Sequence, residues 1–135
     1  MIELNFTMSE LLKSDVAEKY NISNIPDKKS LDNMLTLIIE CLQPIRNYID
    51  KPMIISSGYR SPRLNGHPLI NGSETSQHVT GQAVDFTIKG MTPKQIIEKV
   101  KASGVEFDQL INEHNIWVHL SYNKGKNRNQ YLEIT

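Results

Sequence analysis

Apolar residues follow helical spacing near the start of the chain and alternate with polar residues further on. Thr7 followed by Glu10 matches a capping box, and Phe6 and Leu11 are placed as a hydrophobic staple around it. These signals predict a helix over residues 8–20, whose expected role is packing.

A second apolar stripe predicts a longer helix over residues 31–48. Ser30 is its expected N-cap, and Pro44 is expected to kink it because proline has no N–H and its ring clashes with the preceding turn. We interpret the stripe as part of the core rather than as a cofactor contact. Its members are Leu31, Met34, Leu35, Ile38, Ile39 and Leu42.

Two short strands are predicted in the middle of the chain. Residues 53–57 are typical of a short buried strand, which delivers Arg60 at its exit. Residues 83–88 alternate like a half-buried strand, with Asp85 on the face opposite the apolar residues. Between the strands, residues 61–77 are rich in Pro, Gly and small polar residues, which predicts a long loop. Long loops in compact domains are often functional, so this one is a candidate wall of a substrate groove.

The last third of the chain predicts one helix and a pair of strands. Thr92 is the expected N-cap of a helix that ends near Gly104. Residues 108–113 and 116–122 read as two strands joined by a short turn. The predicted class is therefore α+β, with helices packed on a small antiparallel sheet.

Length and composition limit the remaining possibilities. A chain of 135 residues fits one domain, which we divide into a helical lead-in over residues 1–50 and a core over residues 51–135. Fifteen basic and fifteen acidic residues cancel, which argues against a nucleic-acid partner. The lone Cys41 excludes a disulfide within the chain, and we expect it to be a buried free thiol.

The chain carries no recognisable targeting or membrane segment. No window approaches eighteen apolar residues, and the N-terminus has neither a basic nor an apolar leader region. We therefore expect a protein without a membrane span, synthesised in the cytoplasm in soluble form without a signal peptide.

Three side chains from two strand-like segments make a candidate metal site. His78 lies just before the strand that carries Asp85, and His119 lies on the strand over residues 116–122. Both strand residues are predicted on the face opposite the main apolar one. Two imidazoles and one carboxylate, with a fourth position for water, are typical of a hydrolytic zinc site, and a single cysteine excludes a closed thiolate site.

The sequence around these residues also resembles a known family. The chain reads SGYRSP at residues 57–62, SQHVTGQAVD at residues 76–85 and WVH at residues 117–119. In this order the motifs resemble peptidase M15, the zinc D-Ala-D-Ala carboxypeptidases, and look closest to the short single-domain type often encoded by phages. The resemblance implies a hedgehog/D-Ala-D-Ala peptidase-like fold that carries one Zn²⁺ at His78, Asp85 and His119.

The resemblance also implies what the protein does and where it acts. The implied function is hydrolysis of peptidoglycan stem peptides by metal-activated water, as a carboxypeptidase or a related endopeptidase. Because the cell wall lies outside the membrane, release or delivery by another component is then required. We expect a monomer. One alternative is a non-catalytic metal-binding module that recognises wall peptide or a protein partner, and another is a structural helper domain without metal.

The general base is where this chain departs from the pattern of the broader family. In the broader family it often lies two or three residues before the last zinc histidine, where this chain has Trp117 and Ile116, which cannot act as bases. Short phage-like members carry a Glu just before the turn, and Glu113 fits that place. If the turn has three residues, Glu113 shares a face with His119. Glu113 is the assigned base and His114 the alternative.

Other expected site residues surround the metal ligands. Arg60 matches the family's arginine near zinc and suits a substrate carboxylate or a developing oxyanion, although a surface ion pair is the alternative. Ser76 is expected to bind substrate or orient His78. Trp117 is a candidate groove wall or core residue, and Asp108 and Gln109 are candidate supporting groups behind the ligands.

Overall fold

The computed structural model describes residues 3–135 of the chain. The helices are α1 Met8–Leu12, α2 Asp15–Lys19, α3 Lys28–Leu37, α4 Gln43–Ile49, α5 Pro62–Asn65 and α6 Pro93–Ser103, with a π-helical segment Ile38–Leu42 between α3 and α4. The strands are β1 Ile54–Ser57, β2 Ala83–Thr87, β3 Gln109–Glu113, β4 Trp117–Ser121 and β5 Gln130–Ile134. The predicted α+β class is confirmed.

The five strands form one sheet in the order β1-β2-β4-β3-β5. The first four pair antiparallel, as expected, but β5 runs parallel to β3 and makes the sheet mixed. Strand β5 was not predicted. All five of its residues are exposed, so this strand is held by its pairing with β3 rather than by a buried apolar face.

The first predicted helix begins as expected but is divided in two. The capping box between Thr7 and Glu10 is present, and Phe6 and Leu11 are both buried in the main core. The helix stops after Leu12 because the Leu11 carbonyl accepts a hydrogen bond from the Tyr59 N–H at 2.7 Å instead of continuing the helix. A second cap at Ser14 then starts α2.

The second predicted helix exists with a different start and a different buried face. Its N-cap is Asp27, which accepts from the Ser30 N–H, so the expectation of Ser30 as the cap is wrong. The π-helical segment lies directly before α4, which has Pro44 in its first turn. A wider turn at this point accommodates a residue that cannot donate to the ordinary helical acceptor.

Only half of the predicted stripe on this helix is core. Met34, Ile38 and Leu42 are buried as expected, but Leu31, Leu35 and Ile39 are exposed. Three further buried residues complete this face, each three positions after one of the buried members of the stripe. They are Leu37, Cys41 and Ile45. Burial raises the pKa of the Cys41 thiol, in agreement with a buried free cysteine.

Residues of α3, α4 and α6 pack against one face of the sheet in a single core, which leaves the other face open for a site. In β2, Val84 and Phe86 are fully buried while Asp85 points to the opposite face, as the alternation predicted. Strand β1 lies at the edge of the sheet. The expectation that it is buried is wrong, since Ile54 is 53% exposed. Helix α6 has the predicted Thr92 cap and ends at Gly104 in the left-handed conformation. None of the helices in residues 3–135 has the length and apolar character that a membrane crossing requires.

Candidate metal centre

Three side chains meet on the open face of the sheet. The Nε2 atom of His78 lies 3.3 Å from Oδ1 of Asp85, and the Nδ1 atom of His119 lies 3.1 Å from the same oxygen. One ligand atom from each residue falls within 4.8 Å of the others, so the group can hold a metal ion. The structure thus brings together the three residues that the sequence predicts as ligands.

The sheet register determines the position of two of these residues. Asp85 of β2 and His119 of β4 are direct partners across antiparallel strands, so their side chains leave the same face side by side. Hydrophobic neighbours on the other face keep both strands in this register, because a slip by one residue would turn the apolar side chains to solvent.

His78 reaches the site from the loop before β2. Its Nδ1 atom lies 2.7 Å from the carbonyl oxygen of Gly58, which orients the ring and leaves Nε2 facing Asp85. Gly81 lets the loop turn toward β2: its φ is +75°, and a Cβ there would lie 2.4 Å from the Ser30 carbonyl oxygen. The glycine between the two ligands is therefore required by both backbone conformation and space.

The electrostatics of the group favour a cation among the three side chains. Burial raises the pKa of the Asp85 carboxyl, but contacts with His119 and His78 outweigh it and hold the pKa below its usual range. When neutral His78 donates its Nδ1–H to Gly58, its Nε2 lone pair faces the Asp85 oxygen. Two acceptor atoms facing each other need a proton or a metal ion between them, so the residues present fit a bound divalent ion.

A cavity of about 650 Å³ opens onto the three residues. Of the other expected site residues, Arg60, Ser76, Asp108, Gln109 and Glu113 line it. The prediction of a continuous loop over residues 61–77 is wrong at its start, where Ser61 caps the helix α5 Pro62–Asn65. The rest of the segment lines one wall of the cavity through Ser73, Thr75, Ser76 and Gln77. Trp117 and His114 are not among the lining residues in the described part of the chain.

Arg60 and Ser76 form a small polar group beside His78. The Arg60 Nη2 atom donates to the Ser76 hydroxyl at 3.4 Å, and the same hydroxyl accepts from the His78 backbone N–H at 3.2 Å. Desolvation lowers the pKa of Arg60 and the Asp85 charge raises it, so burial has the larger influence. Arg60 has no carboxylate within ion-pair distance among residues 3–135, which argues against the surface ion-pair alternative.

The hairpin between β3 and β4 puts Glu113 on the same face as His119. Glu113 pairs with Trp117 across the hairpin, so three residues form the turn. His114 lies in that turn with φ of +57°, and its ring contacts the Trp117 ring at 5.8 Å between centroids. Of the two candidate bases, Glu113 is the one that lines the cavity.

Asp108 links the loop before His78 to the C-terminal segment. It is 1% exposed and accepts from Gln77 Nε2 at 2.7 Å and from Arg128 Nε at 2.8 Å and Nη2 at 2.9 Å. The Arg128 hydrogen bond is the main reason that the Asp108 pKa lies below its usual value. Asp108 is a supporting group expected from the sequence, whereas its contacts with Gln77 and Arg128 were not expected. No local signal joins Arg128 to a carboxylate twenty residues away.

Comparison with known proteins agrees with this geometry. The peptidase M15 family model matches residues 4–121, and the chain therefore belongs to the peptidase M15 family. The suspected family is confirmed, and membership supports a hydrolase of the metallopeptidase class. No curated protein matched the chain. Residues 122–135, which include Arg128 and β5, lie outside the matched segment.

Proposed function

We propose that this protein is a zinc metallopeptidase that cleaves peptidoglycan stem peptides, as a D-Ala-D-Ala carboxypeptidase or a related endopeptidase. One observation carries the proposal: His78, Asp85 and His119 converge on the wall of an open cavity that Glu113 also lines. Three protein ligands and an accessible fourth side are typical of catalytic rather than structural zinc sites.

His78, Asp85 and His119 would hold the ion. A zinc ion held there would supply Lewis-acid chemistry, activating water as the nucleophile near neutral pH and polarising the substrate carbonyl. The carbonyl of Gly58 keeps His78 in the tautomer whose Nε2 is free to coordinate.

Glu113 is the proposed general base. It lies on the His119 face of the sheet, and its carboxylate takes the proton of the attacking water and then passes it to the leaving amine. His114 is a weaker candidate because it lies in the turn, outside the cavity lining among the described residues.

Arg60 is the proposed anchor for a carboxylate of the substrate or for the oxyanion that develops during cleavage. Its guanidinium is partly desolvated and has only the Ser76 hydroxyl as a hydrogen-bond partner in the described part of the chain. Ser76 orients both Arg60 and His78. Substrate contact by Trp117 loses support, because the ring contacts His114 instead, and we assign Trp117 to the support of the hairpin.

The test is cleavage of defined stem peptides by zinc-loaded protein. Carboxypeptidase action releases D-Ala, and endopeptidase action releases two fragments, one of which has a new N-terminal amine. Mass spectrometry of the products therefore distinguishes the two. Binding of the peptides without any cleavage would instead support the non-catalytic metal-binding module. The proposal would be overturned if the protein neither binds nor cleaves any stem peptide.

A further inference from the structure

The cavity extends from the metal-ligand group to a second, basic end. Strands β3 and β4 pair along it: Glu113 pairs with Trp117 at one end, and Leu110 pairs with Leu120 toward the other. Beyond that second end the lining continues with Asn123, Lys126 and Arg128. These three residues belong to the segment that the family match does not cover.

Lys126 is held in a fixed turn at this end. Its backbone N–H donates to the Asn123 carbonyl at 2.8 Å, with Gly125 in the left-handed conformation between them. The Asn123 N–H in turn donates to the Asn127 side chain at 2.7 Å. A side chain on an ordered turn loses less conformational entropy on binding than one on a mobile loop.

The charges at the basic end are unequal. Arg128 is already paired with buried Asp108 through two of its nitrogen atoms. Lys126 has no carboxylate within ion-pair distance among residues 3–135. The cationic group that remains uncompensated at this end is therefore the Lys126 ammonium, and a group of opposite charge would complete it.

We propose that the basic end of the cavity, formed by Lys126 beside the Asp108–Arg128 pair, binds a carboxylate of the substrate remote from the scissile bond. This inference rests on the proposed function, because it concerns how the cavity binds the peptide that the metal centre would cleave. Stem peptides offer such groups, since they contain acidic residues whose carboxylates are not consumed by cleavage. Lys126 is then a specificity-determining residue contributed by the segment outside the family match.

The experiment uses two stem peptides that differ only in charge. One has free side-chain and internal carboxylates, and in the other these are amidated while the C-terminal carboxylate stays free. Binding is measured by calorimetry in the zinc-loaded Glu113→Gln background, and cleavage is measured in the otherwise unchanged protein. The test variant is Lys126→Met, and the matched control is Lys124→Met. Lys124 lies two residues away and pairs with Glu40 outside the cavity lining.

Lys126→Met should weaken binding of the acidic peptide about three- to tenfold and leave the amidated peptide unchanged, whereas Lys124→Met should change neither. Equal binding of the two peptides, or equal effects of the two variants, would overturn the inference even if cleavage proceeds. If the protein binds the two peptides with the expected difference but cleaves neither, the inference is supported and the proposed catalysis is rejected. Failure of both peptides to bind and to be cleaved would overturn both proposals.

Discussion

The Nδ1 atom of His78 lies 2.7 Å from the carbonyl oxygen of Gly58. This contact joins a candidate metal ligand to the exit of β1, whose position depends in turn on the first helix. A Cβ at Gly58 would lie 2.3 Å from the Leu11 carbonyl oxygen, so only glycine fits between the strand exit and the end of α1. The orientation of the ligand is thus connected to packing near the start of the chain.

Gly58→Ala should therefore weaken both the fold and the metal site. We expect a loss of about 1–3 kcal/mol in the free energy of unfolding, because the backbone of Leu11 must move. We also expect metal affinity to fall about 10–100-fold, because the carbonyl that orients His78 moves with it. Urea denaturation and competition with a chromophoric chelator measure the two effects.

Gly66→Ala is the matched control for that variant. A Cβ at Gly66 would meet its nearest neighbour at 3.5 Å, an ordinary contact. Its effect on stability should stay within about 0.5 kcal/mol, with unchanged metal affinity. Equal behaviour of the two alanine variants would show that the Gly58 contact has no special role.

Glu113→Gln tests the proposed general base. The amide keeps the size of the side chain but cannot take a proton, so turnover should fall about 10²–10⁴-fold while zinc content stays at the wild-type level. Stem-peptide hydrolysis and elemental analysis of the same samples measure the two quantities. His114→Ala should keep turnover within a few-fold of wild type. Unchanged turnover of Glu113→Gln would reject Glu113 as the base. Loss of turnover in His114→Ala alone would assign the role to His114.

Because of the ion pair between Asp108 and Arg128, we expect part of the free energy of unfolding to be lost at acid pH. The pKa of Asp108 is lowered in the folded protein, mainly by its hydrogen bond with Arg128. The folded state therefore binds the proton less tightly than the unfolded state, whose Asp pKa is about 3.9. The stabilisation is fully present above that pH and is lost as the pH falls through the lowered value.

Asp108→Asn should remove this acid-dependent part. At neutral pH we expect the variant to be less stable by about 1–3 kcal/mol, with a difference that shrinks on acidification. Urea denaturation of metal-free protein at several pH values measures it. Asp50→Asn is the control, since Asp50 is exposed and 3.8 Å from Arg46. A difference from wild type that stays constant down to acid pH would contradict the assigned cause.

Local patterns predicted the parts of the site that lie on regular strands. Alternation along β2 and β4 put Asp85 and His119 on the face away from the core, and the structure pairs them directly. The position of Glu113 depended on the length of the turn, which the sequence left open between two and three residues. The observed pairing of Glu113 with Trp117 corresponds to the three-residue case.

Contacts between distant segments account for what local patterns missed. Helix α1 ends early because Leu11 bonds to Tyr59, and Asp108 is held by Arg128, twenty residues further on. The exposed and buried apolar residues of α3 recur at the same helical spacing, so periodicity alone could not separate Leu35 from Met34. Only the position of the helix on the sheet decides which of the two faces the core.

Anomalous diffraction at the zinc edge, from crystals of the zinc-loaded protein, tests the metal centre most directly. We expect one strong peak about 2.0–2.2 Å from His78 Nε2, Asp85 Oδ1 and His119 Nδ1, with the cavity open on the fourth side of the ion. A peak elsewhere, a fourth protein ligand, or no peak from crystals grown with excess zinc would rule out a catalytic zinc site at these residues.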